Sequence, residues 1–266
     1  FQRPFQKPLD DYIAGRISEA DMLERTDYFN RWSFDWRLYR PILSYAREHR
    51  IPVIALNARA ELTRRVGDVG LDGLSTEERA QLPQDYDRSD TAYEARMQSF
   101  FGGHPGSTAD GFQRFFDVQL TWEETMAETA AKWLAGHPDS RMLILAGSGH
   151  LAFRSGIPNR LQRRLPDEQA LILVNDGGNL HADAADYLIF SQPIEMPPRG
   201  LLGVLLAPAS EGVLIEQVAE DSAAAAAGIK DEDVILAIDG AAMASVSAVK
   251  LALLDKQPGD VVTVTY

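Results

Sequence analysis

Three prolines fall within six residues, at Pro193, Pro197 and Pro198, in the stretch PIEMPPRG. A chain punctuated in this way cannot continue a helix or occupy a central strand, and it favours a stiff, extended course. The texture changes across it. Aromatic residues are frequent before it and nearly vanish after it, where Ala, Val, Leu and Gly dominate. This predicts two domains, 1–192 and 201–266, joined by a proline-rich linker at 193–200 with the boundary at about residue 198.

Within the first part the most informative stretch is 141–161, RMLILAGSGHLAFRSGIPNRL. The unalternating run Met142-Leu143-Ile144-Leu145-Ala146 predicts a strand covered on both faces. Gly147 and Gly149 allow a sharp turn at its end, and His150 follows at once. Ligands of open α/β sheets bind outside the carboxyl ends of the strands, so His150 is a candidate site residue. The plainer reading is a tight strand-to-helix turn with a locally packed histidine.

The formal net charge of -13 argues against a nucleic-acid partner, whose footprint would be basic. With no cysteine in the chain, disulfides, thiolate nucleophiles and Cys-ligated zinc or haem are excluded. No run of about 18 apolar residues predicts a membrane span. The start at Phe1 without a methionine and the stop inside VVTVTY are read as cut ends, with any signal or lipid anchor lying outside this stretch.

Helices are expected in two pieces over 10–23, and at 59–66, 75–80, 89–101, 112–134 and 157–165. Trp32, Trp36, Tyr39 and Leu43 fall on one helical face, which predicts core packing or a wall for a flat ligand. Pro41 should start or kink a turn there. Residues 51–57 (IPVIALN), 170–175 and 187–191 read as further strands, and the helix–strand rhythm predicts parallel pairing. Asn57 ends its strand on the rim where His150 is expected. His104 sits in the glycine-rich loop 102–106.

The C-terminal part, LLGVLL, then GVLIEQVAEDSAAAAAGIKDEDVILAIDG, then PGDVVTVTY, resembles a bacterial PDZ domain. The resemblance places a carboxylate-binding loop at Leu201-Leu202-Gly203-Val204 and a groove helix at 245–254, with Val246, Val249 and Leu253 as wall residues. It implies that a C-terminal or extended peptide adds as a strand to the edge of the sheet. The plainer reading is a PDZ-shaped spacer.

FQRPFQ, the aromatic segment YFNRWSFDW, YRPIL, IPVIALN, the TWEETMA stretch and AGSGHLAF together resemble the ChaN-type haem-binding lipoproteins, related to Tiki proteases and erythromycin esterases. The expected fold is α/β, with a mostly parallel sheet and a helical cap, followed by a small α+β PDZ domain. The family normally opens with a strand ending in a Gly-Glu-x-x-His-like turn, which is outside this sequence. The resemblance implies haem as cofactor, a role in haem or iron uptake, and a periplasmic or outer-membrane-anchored lipoprotein of a Gram-negative bacterium. A homodimer is also expected, with membrane contact only through a lipid anchor. Without cysteine an axial ligand must be His, Tyr or Met, so Tyr39, His104 and His150 are the candidates. Tyr39 lies between Arg37 and Arg40, whose charges favour a phenolate and could meet propionates. His49 and His137 read as surface residues. The rivals are a metal-dependent hydrolase in which His150 binds metal or acts as base, and a non-catalytic scaffold.

Overall fold

The computed structural model describes residues 1–32, 34–103, 108–175 and 181–266 of the chain. The chain is a mixed α/β protein that divides into two compact units, neither continuous in sequence. One comprises Phe1–Asp10 and Pro52–Pro193, the other Asp11–Ile51 and Ile194–Tyr266. The segment Asp11–Ile51, which the sequence reading groups with the first domain, packs with the C-terminal part.

The first unit is built on one long helix, Ala109–Ala135. Its start is capped by Thr108, whose hydroxyl accepts from the Gly111 N–H, satisfying an end donor that has no intrahelical partner. Its small residues Ala127, Ala130 and Ala131 let the helix Ile157–Arg164 approach closely, and Leu161 fills the contact. The helix Ala60–Val69 packs near its middle, where Leu62 and Val66 meet Val118. Tyr93, on the helix Thr91–Gly102, joins Phe116 and Leu120 in a further buried cluster.

Ile172–Asn175 and Tyr187–Phe190 form a parallel pair, Ile172 opposite Tyr187, as the helix–strand rhythm predicts. The other two expected strands are not strands. Residues 51–57 and 142–146 carry no ladder, apart from one parallel bridge between Gln2 and Asn57. The apolar run at 142–146 is covered on one face only. Met142 and Ile144 pack on the helical layer, while Leu143 is 80% exposed. Composition supplied the β tendency, but a strand exists only where another backbone meets its N–H and C=O groups.

In the second unit the aromatic stripe does not form one helix. The chain breaks into Tyr28–Arg31, a 3₁₀ turn Trp36–Leu38 and the helix Arg40–Glu48, with Pro41 in its first turn as expected. The Asp35 carboxylate caps the middle piece by accepting from the Arg37 N–H. Trp36 and Leu43 are buried, whereas Trp32 is exposed and Tyr39 half-buried.

The C-terminal strands form two three-stranded antiparallel sheets. One runs Val204–Pro208, Val213–Val218, Val234–Ile235, and the other Ala241–Ala242, Ala237–Ile238, Val264–Thr265. Asp239 and Gly240 both take positive φ, the backbone a two-residue hairpin turn of this hand requires. Ser222 and Ser245 cap the helices Ala223–Ala226 and Val246–Ala252. Leu202, Val213, Ile215, Ile235, Ile238 and Val249 make up most of this core.

Candidate functional site

Helix Ala109–Ala135 carries two adjacent carboxylates, Glu123 and Glu124, both fully buried. Glu123 lies one turn before Ala127 on the packed face, so its charge is placed in a helical interface. A buried carboxylate must be matched by donors and opposite charge. Glu123 Oε1 accepts the hydroxyl proton of Tyr93 and faces His150 Nδ1 at 3.1 Å. Its Oε2 lies 3.4 Å from Arg160 Nη1.

Glu124 is surrounded more completely. The Asp87 N–H donates to Oε1 at 2.7 Å, Arg160 Nε stands 3.2 Å away, and Arg164 Nη1 and Arg163 Nη2 reach Oε2 at 2.6 and 3.2 Å. All three arginines come from the helix Ile157–Arg164, at the i, i+3 and i+4 spacing of one helical face. Arg160 is itself buried and also donates to the carbonyls of Gly156 and Asp87, with its guanidinium over the Tyr93 ring at 5.3 Å. Burial, reinforced by the Glu123 charge and the bond to it, pushes the Tyr93 hydroxyl far up. It stays protonated and remains a donor.

His150 closes the short turn Ser148–His150, its N–H donating to the Gly147 carbonyl. A carboxylate oxygen can only accept, so His150 Nδ1 carries the proton of this contact and Nε2 is the ring nitrogen turned away from Glu123. The ring is one-quarter exposed and stands edge-on to Trp122, centroids 6.0 Å apart. The conformational demand of the turn falls elsewhere than expected. Gly147 and Gly149 do not take positive φ; Phe153, Arg154 and Gly156 do. At Gly156 (φ 70°) a Cβ would lie 2.4 Å from the His150 carbonyl oxygen and 3.0 Å from Glu123 Oε1. The loop therefore folds back on the site, and glycine is required there. Two consecutive non-glycine residues in the left-handed region cost about 1–2 kcal/mol each. They are held in place: Arg96 lies over the Phe153 ring at 4.9 Å, and Arg154 pairs with Asp186 at 2.5 Å.

The other sequence candidates are scattered. Asn57 turns its side chain to the Ala58 N–H and its backbone to Phe1 and Arg3; His150 has different partners. Tyr39 belongs to the second unit, its ring near Trp32. His104 lies outside the described residues. His49 and His137 each stack on an aromatic ring one helical turn away and bond a backbone carbonyl through Nδ1. Glu123, Glu124, Tyr93 and Arg160 were missed by sequence reasoning. Their available signal was a Glu pair beginning the small-residue face of TWEETMAETA, with arginines spaced to answer it. Among the described residues no group of three or more His, Asp or Glu side chains could hold a metal ion. Among them, too, no helix is long and apolar enough to cross a membrane.

In the second unit, strand Val204–Pro208 is an edge of its sheet, and helix Val246–Ala252 packs beside it. Leu201 is exposed, Leu202 is buried, and Val246 and Leu253 are half-buried against the core that contains Val249. Gly203 has φ 78°, and a Cβ there would lie 2.3 Å from Ser222 Cβ. Glycine at this position is thus demanded by the loop's own packing, where the sequence suggested room for a ligand backbone. The carbonyls of Leu202 and Gly203 accept from Ala224 and Ala219 N–H, which fixes the loop.

Comparison with known proteins gives two family matches. The model described as haem-binding uptake, Tiki superfamily, ChaN matches residues 1–161, and that of the PDZ domain matches residues 200–266. One curated relative is the chloroplastic protein RETICULATA-RELATED 5 of Arabidopsis thaliana, 23% identical over 192 residues. The match takes in 66% of this chain but spans only a quarter (25%) of that relative's length. No solved structure matches.

Proposed function

From the premise that this chain belongs to the ChaN-type haem-binding uptake family of the Tiki superfamily and carries a PDZ domain, we propose a non-enzymatic role in haem or iron uptake at the bacterial cell envelope. In this reading residues 1–192 bind ferric haem, 193–200 act as a spacer, and 201–266 recognise a C-terminal or extended peptide.

The observation that supports the reading is the His150–Glu123 pair. Histidines that ligate iron commonly donate their other ring N–H to a carboxylate, which fixes the tautomer and strengthens the free nitrogen as a ligand. Here Nδ1 is tied to a buried carboxylate, Nε2 is the nitrogen left for a ligand, and the ring is partly exposed beside an indole. With that arrangement His150 would hold a haem iron through its imidazole, beside the Trp122 indole. Tyr93 and Arg160 hold Glu123, so ring orientation does not depend on solvent. For the peptide part, support comes from the edge strand Val204–Pro208 lying beside a helix, the geometry on which strand addition relies.

The test is haemin titration of the whole chain followed by visible spectroscopy. A saturable Soret shift is expected, lost in His150→Ala and retained in Tyr39→Phe and His104→Ala. Weak, non-saturating adsorption like that of an unrelated protein would refute haem binding. A shift that survives His150→Ala and disappears in one of the other two variants would move the ligand to that residue.

A further inference from the structure

The groove helix Val246–Ala252 has two sets of neighbours. On one side it meets strand Val204–Pro208; it also packs against the helices Glu19–Arg25 and Tyr28–Arg31. Those helices come from Asp11–Ile51, in the same compact unit but more than 200 residues earlier in the chain. Met22, Leu23 and Tyr28 of these helices are buried, as is Trp36 in the turn that follows them.

Two arginines of this segment grip the two walls of the groove separately. Arg40 is bidentate to Asp255, with Nη1 to Oδ1 at 2.5 Å and Nη2 to Oδ2 at 3.2 Å, just beyond the end of the groove helix. The same guanidinium pairs with Glu19 at 2.7 Å, which ties it to its own segment. Arg37 Nη1 donates to the Pro197 carbonyl at 2.8 Å, and its guanidinium holds Asp35, which faces Arg199 Nε at 3.5 Å. Pro197 and Arg199 lead directly into Leu201-Leu202-Gly203-Val204. One arginine thus anchors the helix wall and the other anchors the approach to the loop and strand wall.

We infer that Asp11–Ile51 is a positioning element of the peptide groove, and that Arg37 and Arg40 set the separation of its two walls. The inference rests on the reading of the groove as a peptide site. A short helix beside an edge strand gains affinity only if its distance from that strand is fixed before the peptide arrives, because ordering on binding costs free energy. The segment supplies that order from outside the PDZ sequence. Because the Arg40–Asp255 pair is partly exposed, its loss should perturb wall position more than overall stability.

The test uses the whole chain and, as probe, a fluorescent hexapeptide with a free C-terminal valine, read by anisotropy. The Arg37→Ala, Arg40→Ala double variant should bind about tenfold more weakly, within the range of coupling in hydrogen-bonded networks. Arg40→Lys, which keeps the charge but not the bidentate fork, should fall between it and the wild type. Amide exchange in Val246–Ala252 should accelerate in the double variant while the thermal midpoint stays close to that of the wild type. Binding within about twofold of wild type with unchanged exchange would overturn the positioning role. Tighter binding would overturn it as well, by making the segment a competitor for the groove. If the wild type itself binds neither this probe nor a C-terminal peptide library, the peptide reading fails, and the positioning role with it.

Discussion

Replacing Arg160 by Met tests whether the buried charge cluster holds the first unit together. The methionine fills much the same volume, so the change removes charge and donors with little cavity. Arg160 lies 3.4 Å from Glu123 and 3.2 Å from Glu124, all three fully buried or nearly so. Breaking a buried pair by deleting one partner typically costs about 3–5 kcal/mol, since the surviving charge stays in a low-dielectric site. Here the cost belongs at the lower end. Glu124 keeps Arg163, Arg164 and the Asp87 N–H, and Glu123 keeps the Tyr93 hydroxyl and His150. The expected loss is about 3 kcal/mol, or roughly 6–12 °C in thermal midpoint for a unit of this size. Arg160→Lys keeps the charge but not the fork that serves two carboxylates and two carbonyls, so about half the loss should remain. Adding Glu123→Gln to Arg160→Met should cost less than the sum of the two changes, because it removes the orphaned charge. Circular dichroism melts and urea titrations measure the wild type, the three single variants and the double variant. A loss below about 1 kcal/mol for Arg160→Met would refute the view that this arginine neutralises the pair.

Other consequences can be checked independently. Gly203→Ala should destabilise the second unit by at least about 2 kcal/mol, from the left-handed backbone and the overlap with Ser222, and should abolish peptide binding; a neutral thermal shift would contradict the geometry. Although burial opposes it, the bonds from Arg37 hold the Asp35 carboxyl below its usual range. A depressed pKa adds stability that is present above the unfolded value of 3.8 and is lost as pH falls through the folded one. Wild type should therefore exceed Asp35→Asn in stability at pH 6, with the difference shrinking below about pH 4; a gap that does not change with pH would exclude this linkage. Tyr93→Phe removes a donor to a buried carboxylate and should cost about 1–3 kcal/mol, measured by urea unfolding. A cost indistinguishable from zero would mean that Glu123 is satisfied without it.

The PDZ pattern and the place of His150 on a turn after an apolar run were legible because they depend on local pattern, whereas the grouping of Asp11–Ile51 with the C-terminal part was not. Prolines stop elements, Asp-Gly closes a hairpin, and Ser caps a helix, whatever surrounds them. The helix carrying Trp122 and Met126 was equally plain from its period. Strand formation at 51–57 and 142–146 was not legible, because a strand requires a partner backbone and no residue within the run reports whether one is present. The aromatic stripe failed for a related reason: its helical spacing was genuine, but the Asp35 cap breaks the segment, leaving Trp36 buried and Trp32 exposed. Which histidine matters was also a tertiary decision. The apolar run and glycine turn before His150 set it apart from His137, but its partner did not show in sequence: His150 meets the Glu123 carboxylate, and His137 its own helix carbonyl. Likewise only packing joins Arg40 to Asp255, because long-range ion pairs depend on where two faces meet and leave no period in either segment. Local conformation is written residue by residue, but the matching of buried charges across elements is settled only when the chain has closed on itself.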